Sequence, residues 1–134
     1  MTNMKTLIAL LCMTGLSALA LAQNAPATPP RITAGDAKKH VEETVTVCGK
    51  VVDNKVFKYG LAGHGKPVNF DLDQPEPNPV FYFVVFAPHE EGTKGAVAAY
   101  QGKNVCVTGQ VNGGPPAPFI MAPDRTQIKI QEDK

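Results

Sequence analysis

The sequence predicts an all-β domain, a five-stranded Greek-key barrel with one short helix between its third and fourth strands and another at its N-terminal edge. Three observations carry this. First, the stretch Thr44 to Val52, TVTVCGKVV, returns in near copy as NVCVTGQV at Asn104 to Val111. In the first, Val45, Val47 and Val51 alternate on one face with Gly49 in register; in the second, Val105, Val107 and Val111 do so with Gly109, so each strand has one buried face. Second, the remaining apolar runs are short and punctuated by Gly and Pro. Third, their order is three strands, a helix and two strands, the order expected of a five-stranded Greek-key barrel.

The N-terminus bounds the fold. Residues 1 to 22 read as a secretory signal, with Lys5 before an apolar run from Leu7 to Leu21 and Ala20-Leu21-Ala22 as a small-x-small cleavage site. Cys12 lies inside that run behind Leu10-Leu11, unlike a lipidated cysteine, and is expected to leave with the signal. Residues 23 to 31, including the Pro/Ala-rich QNAPATPP, read as a flexible leader. The domain then runs from 32 to 131, enough chain for one core and too little for two. Losing Lys5 takes thirteen basic residues to twelve, against twelve acidic ones, so the exported chain is formally neutral. Neutrality removes the overall electrostatic footprint of a nucleic-acid binder and leaves only a local patch to supply one. The expected location is the periplasm or the exterior, with no stable membrane span after cleavage.

Strands are expected near 44 to 53, 67 to 73, 80 to 87, 103 to 111 and 118 to 130. Ahead of them, Thr33 as N-cap and Asp36 in the first turn predict a short helix whose inward side is Ile32, Ala37 and Val41. Asp53 to Lys66 reads as a long connection rich in cations and aromatics. In the second strand Val68, Phe70 and Leu72 face inward, which leaves Asn69, Asp71 and Asp73 on an exposed, acidic side. The run VFYFVVFA at Val80 to Ala87 is apolar on both faces, and periodicity leaves open whether Phe81, Phe83 and Val85 or Tyr82, Val84 and Phe86 point inward. Its cover is expected from a helix within His89 to Tyr100 that packs through Val97, Ala98 and Tyr100 and closes at Gln101-Gly102. The last strand reads in two pieces, Phe119 to Met121 and Gln127 to Ile130, with Ala122-Pro123-Asp124 between them.

From Ile32 to Ile130 the chain resembles bacterial exported proteins of the OB-fold (oligonucleotide/oligosaccharide-binding) class. The resemblance rests on ITAGDAKKHVEETVTVCGKVV, FDLDQPEPNPVFYFVVF, YQGKNVCVTGQV and APDRTQIKI, in that order. It implies an OB-fold barrel that binds single-stranded nucleic acid, an oligosaccharide or a protein partner across its second and third strands. The flanks of that surface would be Asp53 to Lys66 and Asn112 to Pro118. Where such proteins carry a basic hairpin after the fourth strand, this chain has Gly113-Gly114-Pro115-Pro116-Ala117-Pro118.

A single-strand binder needs aromatic platforms for bases and cations along the backbone, which selects Lys55, Phe57, Lys58, Tyr59, His64, Lys66 and Tyr82. The competing reading is that Phe57 or Tyr59 merely anchors a long loop. No catalytic residue, metal site or cofactor is expected. His40, His64 and His89 lack ligand spacing, no nucleophile elbow is present, and Arg31 and Arg125, the only arginines, lie near the two ends. The two remaining cysteines, Cys48 and Cys106, fall on the polar faces of the repeated strands, and an exported even pair predicts one disulfide. In a barrel of this class the first strand pairs antiparallel with the fourth, which would make the two cysteines cross-strand neighbours.

Overall fold

A computed structural model describes residues 27–60 and 63–132. The signal sequence and residues 23–26 of the leader lie outside the described residues. Seven strands make up one mixed sheet: β1 (Arg31–Thr33), β2 (Thr44–Val56), β3 (Lys66–Leu72), β4 (Tyr82–Ala87), β5 (Asn104–Asn112), β6 (Phe119–Met121) and β7 (Ile128–Gln131). One α-helix, α1 (Glu90–Tyr100), and two 3-10 turns, Ala34–Lys39 and Arg125–Gln127, complete the elements. Five strands form a ring, β2-β3-β4-β6-β5, because β5 pairs back onto β2; β1 and β7 lie outside it on the free edges of β2 and β5.

The last strand, expected in two pieces, is two strands, β6 and β7, with different neighbours. β6 bridges β4 and β5, then the Asp124 carboxylate caps a 3-10 turn by accepting the Thr126 N–H, and β7 pairs along the far edge of β5. Arg31, expected in the leader, instead opens β1, which runs parallel to β2 in register with Thr46 to Cys48.

β2 is long because it serves two partners. Its first half, Thr44 to Lys50, pairs antiparallel with β5; beyond a bulge between Val51 and Asp53, residues Asp53 to Val56 pair with β3. A bulge adds one residue to one strand and bends it, which is how a strand leaves one neighbour for the next. At the bend, Asp73 holds Lys50 from both sides: its N–H donates to the Lys50 carbonyl at 2.8 Å and its carboxylate accepts the Lys50 N–H at 2.8 Å. Asp53 to Val56, expected to begin a loop, is thus strand.

The repeated strands pair directly, with Val47 opposite Val107 and Cys48 opposite Cys106. A disulfide joins Cys48 and Cys106, with Cα atoms 4.1 Å apart. Beside it the hydroxyls of Thr46 and Thr108 share a hydrogen bond of 2.8 Å across the same pair of strands.

The core resolves the ambiguity of β4. Phe81, Phe83 and Val85 are fully buried with Val45, Val47, Val51, Val68, Phe70, Val105, Val107 and Ile120. Phe70 stacks on Phe83 at 5.1 Å, and Tyr100 from α1 meets both rings edge-on. α1 packs through Thr93, Ala96, Val97 and Tyr100, the i, i+3, i+4, i+7 stripe, while Ala98, expected on the packing side, is exposed. Lys103 returns its N–H to the Tyr100 carbonyl and Gly102 takes φ +76°, ending the helix where expected. The N-terminal turn is 3-10 rather than α. Thr33 donates its hydroxyl to the Asp36 carboxylate at 3.1 Å instead of capping a backbone N–H, and Val41 is exposed rather than inward.

Candidate ligand face

Alternation along β2, β3, β4 and β6 assigns the outer face of this half of the ring residue by residue. Three rows cross it in register. The first is Asp53, Asp71, Tyr82 and Phe119; the second is Lys55, Asn69, Val84 and Met121. The third is Phe57, Pro67 and Phe86, closed by the Phe57 N–H on the Pro67 carbonyl at 3.1 Å.

The aromatic and cationic groups gather at the third row. Lys55 reaches along β2 to place Nζ 5.4 Å from the centre of the Phe57 ring, and the His64 ring lies against Phe86 at 5.6 Å. The first is a cation–π geometry, and in the second the two rings meet tilted at 47°. Just beyond the end of β2, Lys58 lies 5.7 Å from the Tyr59 ring, and Tyr59 is 77% exposed. Lys66 opens β3 in register with the buried Ala87, so it stands on the opposite alternation and at the rim of the face. Of the seven predicted residues, Phe57 lies in the third row, Lys55 reaches it from the second, His64 packs against its Phe86, Lys58 and Tyr59 flank it, and Lys66 lies at its edge.

Tyr82 is elsewhere. It sits in the first row, 8% exposed, stacked on Phe119 with centroids 5.1 Å apart and planes within 15°. Ala117 and the half-buried Phe86 and Phe119 complete a small apolar cluster with Tyr82 and Val84, which is what covers the outer side of β4 in place of the helix expected there. Its ring is therefore occupied by protein, not presented as a platform. The segment expected to flank the face does so: Pro118 accepts the Tyr82 N–H at 3.3 Å, at the end of the face opposite His64.

Asp71 departs furthest from expectation. It was expected on an exposed side and is 4% exposed. Burial pushes its carboxyl up to about 6, with the charges of Glu76 and Asp53 acting in the same direction. The Glu76 backbone N–H and the Lys55 charge oppose the rise. Burial, then the charges of Asp71 and Glu76, raises the Tyr82 hydroxyl in turn. The first row is thus acidic and the third aromatic, with Lys55 and His64 beside it. Phe86, Phe119 and Met121 were missed as members of this face because their placement depends on the registers of β4 and β6. Among the described residues, no group of three His, Cys, Asp or Glu side chains could hold a metal ion, and no enclosed cavity is present.

No protein-family model, curated protein or solved structure matches this chain.

Proposed function

We propose that this chain is an exported, non-enzymatic OB-fold binding domain that holds an extended ligand, specifically single-stranded nucleic acid, across the outer face of β2, β3 and β4. The observation that carries the reading is the third row, where Phe57 and Phe86 are aligned across three strands with Lys55 over the Phe57 ring and His64 beside Phe86. A strand of nucleic acid is bound without strict sequence readout by that combination, bases on aromatic faces and phosphates near cations. The ring of five strands and the order of elements suit an OB-fold. A disulfide is compatible with an oxidising, exported location, and among the described residues no helix is long and apolar enough to cross a membrane.

Titrating fluorescent oligothymidylate at several salt concentrations tests the reading. Replacing Lys55, Lys58 and Lys66 together by Ala is expected to weaken binding and flatten the salt slope by as much as about two, at roughly 0.7 per phosphate contact on a single strand. An unchanged affinity and slope removes these lysines from the site. The acidic first row favours a second reading, a structural or protein-interaction domain of the cell envelope, and oligothymidylate binding that survives only at very low ionic strength decides for it.

A further inference from the structure

Resting on the nucleic-acid reading, we propose that the site takes a footprint of only about three nucleotides, because the face offers a single short lane for a strand and the acidic row beside it bars extension. The lane is the third row, and the structure bounds it on both sides. On one side, β2 has already parted from β5, whose pairing with it ends at Lys50, so Phe57 lies on an open strand edge. On the other, β6 keeps register with β4 only from Tyr82 to Val84 and stops two residues short of Phe86. The lane therefore crosses three strands, about 10 Å at roughly 4.8 Å per strand spacing. Phe57 and the adjoining Tyr59 supply exposed rings, and the half-buried Phe86 supplies a third where the His64 ring moves off it. A strand of nucleic acid meeting three rings seats about three bases, at or below the low end of the roughly 4 to 16 nucleotides that OB-folds accommodate.

The rest of the face cannot lengthen that lane. Moving from Phe57 to Asp53 along β2 covers four residues, about 13 Å at roughly 3.3 Å each. There a strand meets Asp53 and Asp71 side by side with Glu76 next to them, and the only aromatic faces, Tyr82 and Phe119, are stacked on each other. Phosphates routed over that row face like charges within about a Debye length of 10 Å at 0.1 M salt, with no ring to offset the repulsion. The charge division of the face thus sets how many nucleotides are held, while the third row and the cations beside it set whether any are.

Measuring 5′-phosphorylated oligothymidylates of about three, six and twelve nucleotides by anisotropy, each across a salt series, tests this directly, the terminal phosphate giving the three-mer its third phosphate. The expected salt slope is about two in magnitude for all three lengths, from roughly three phosphate contacts at 0.7 each. Affinity is expected to rise with length only as the number of three-nucleotide registers, about tenfold from three to twelve. In the variant Asp53→Asn, Asp71→Asn, Glu76→Gln, the slope for the twelve-mer is expected to steepen while that for the three-mer stays unchanged. The wild-type length series decides the matter even if that variant does not fold. A wild-type slope that grows from the three-mer to the twelve-mer overturns the short footprint and leaves the nucleic-acid reading standing. No binding at any length overturns both.

Discussion

The two halves of β2 make different uses of one strand. From Thr44 to Lys50 it is locked to β5 by a full antiparallel ladder, the Cys48–Cys106 bridge and the Thr46–Thr108 hydrogen bond, with valines beneath. From Asp53 to Val56, past the bulge, it pairs only with β3 and displays Asp53 and Lys55 toward solvent or toward other charges. The first half concentrates interactions that stabilise. The second concentrates groups that do not, including a carboxylate neighbour, Asp71, that burial disfavours in its charged form. Residues that cost stability and cluster on one face beside exposed rings are the pattern on which the proposed binding surface rests.

Breaking the locked half has the largest expected effect. The bridge spans a sequence separation of 58, for which chain entropy gives about 4 kcal/mol of stabilisation. Replacing both cysteines by Ser is expected to lower the urea midpoint by an amount of that order, a large share of the stability of a domain this size. A midpoint shifted by less than about 1 kcal/mol equivalent would mean that the Thr46–Thr108 ladder holds these strands without the bridge.

Relieving the other half acts in the opposite direction. The folded-state pKa of Asp71, about 6, stands above the ordinary 3.8, so its stabilising contribution is complete below the lower value and is lost as pH rises through the upper one. The difference corresponds to at most about 3 kcal/mol at 1.36 kcal/mol per pH unit. Wild-type stability is therefore expected to fall between pH 4 and 7 through this group, and Asp71→Asn is expected to remove that component and to be more stable than wild type at pH 7. Urea midpoints of both proteins across that range measure it; parallel pH profiles would exclude Asp71 as the source.

The locked half was more legible in the sequence than the open one, for a physical reason. Period-two alternation put Cys48 and Cys106 on the same polar face of their strands, and the antiparallel pairing of first with fourth strand, implied by the OB-fold resemblance, made them neighbours. The open half depends on what covers it. Alternation correctly put Asp71 opposite to Phe70, but whether that side is wet or dry depends on Tyr82, Phe119 and the segment around Glu76, which no local pattern links. Likewise VFYFVVFA has no period to read, and the outer cover of β4 came from Ala117 and Phe119 instead of the helix. The split of the last segment into β6 and β7 was visible at Ala122-Pro123-Asp124, but not that its pieces pair at the two ends of the β5 edge turned away from β2, β6 also bridging to β4. Of the candidate site, Lys55, Phe57 and His64 came from composition, while their Phe86 neighbour needed the register of β3 with β4.

The finest distinction lies inside the locked half, between the glycines of the two copies. Both were expected on the inward side, where a missing Cβ leaves room for the core. A Cβ built on Gly109 falls 2.7 Å from Cγ2 of Ile120 and 3.2 Å from the Gln127 amide nitrogen. Ile120 is fully buried and Gln127 is held by its bonds to the Thr108 and Met121 carbonyls, so neither can give way cheaply. Gly109→Ala is expected to destabilise by about 1 to 3 kcal/mol, the cost of overpacking. A Cβ on Gly49 meets the Asp73 carboxylate instead, at 2.9 Å, and Asp73 is an exposed side chain that can swing away. The swing gives up its hydrogen bond from the Lys50 N–H, about 0.5 to 1.5 kcal/mol. Against that, Ala reduces the freedom of the unfolded chain by about 0.4 to 1 kcal/mol. Gly49→Ala is therefore expected to leave the urea midpoint nearly unchanged while Gly109→Ala lowers it. Equal shifts would show that the space beside Gly49 is as closed as the core beside Gly109, and that Asp73 is held in place at the bend as firmly as Ile120 is by packing.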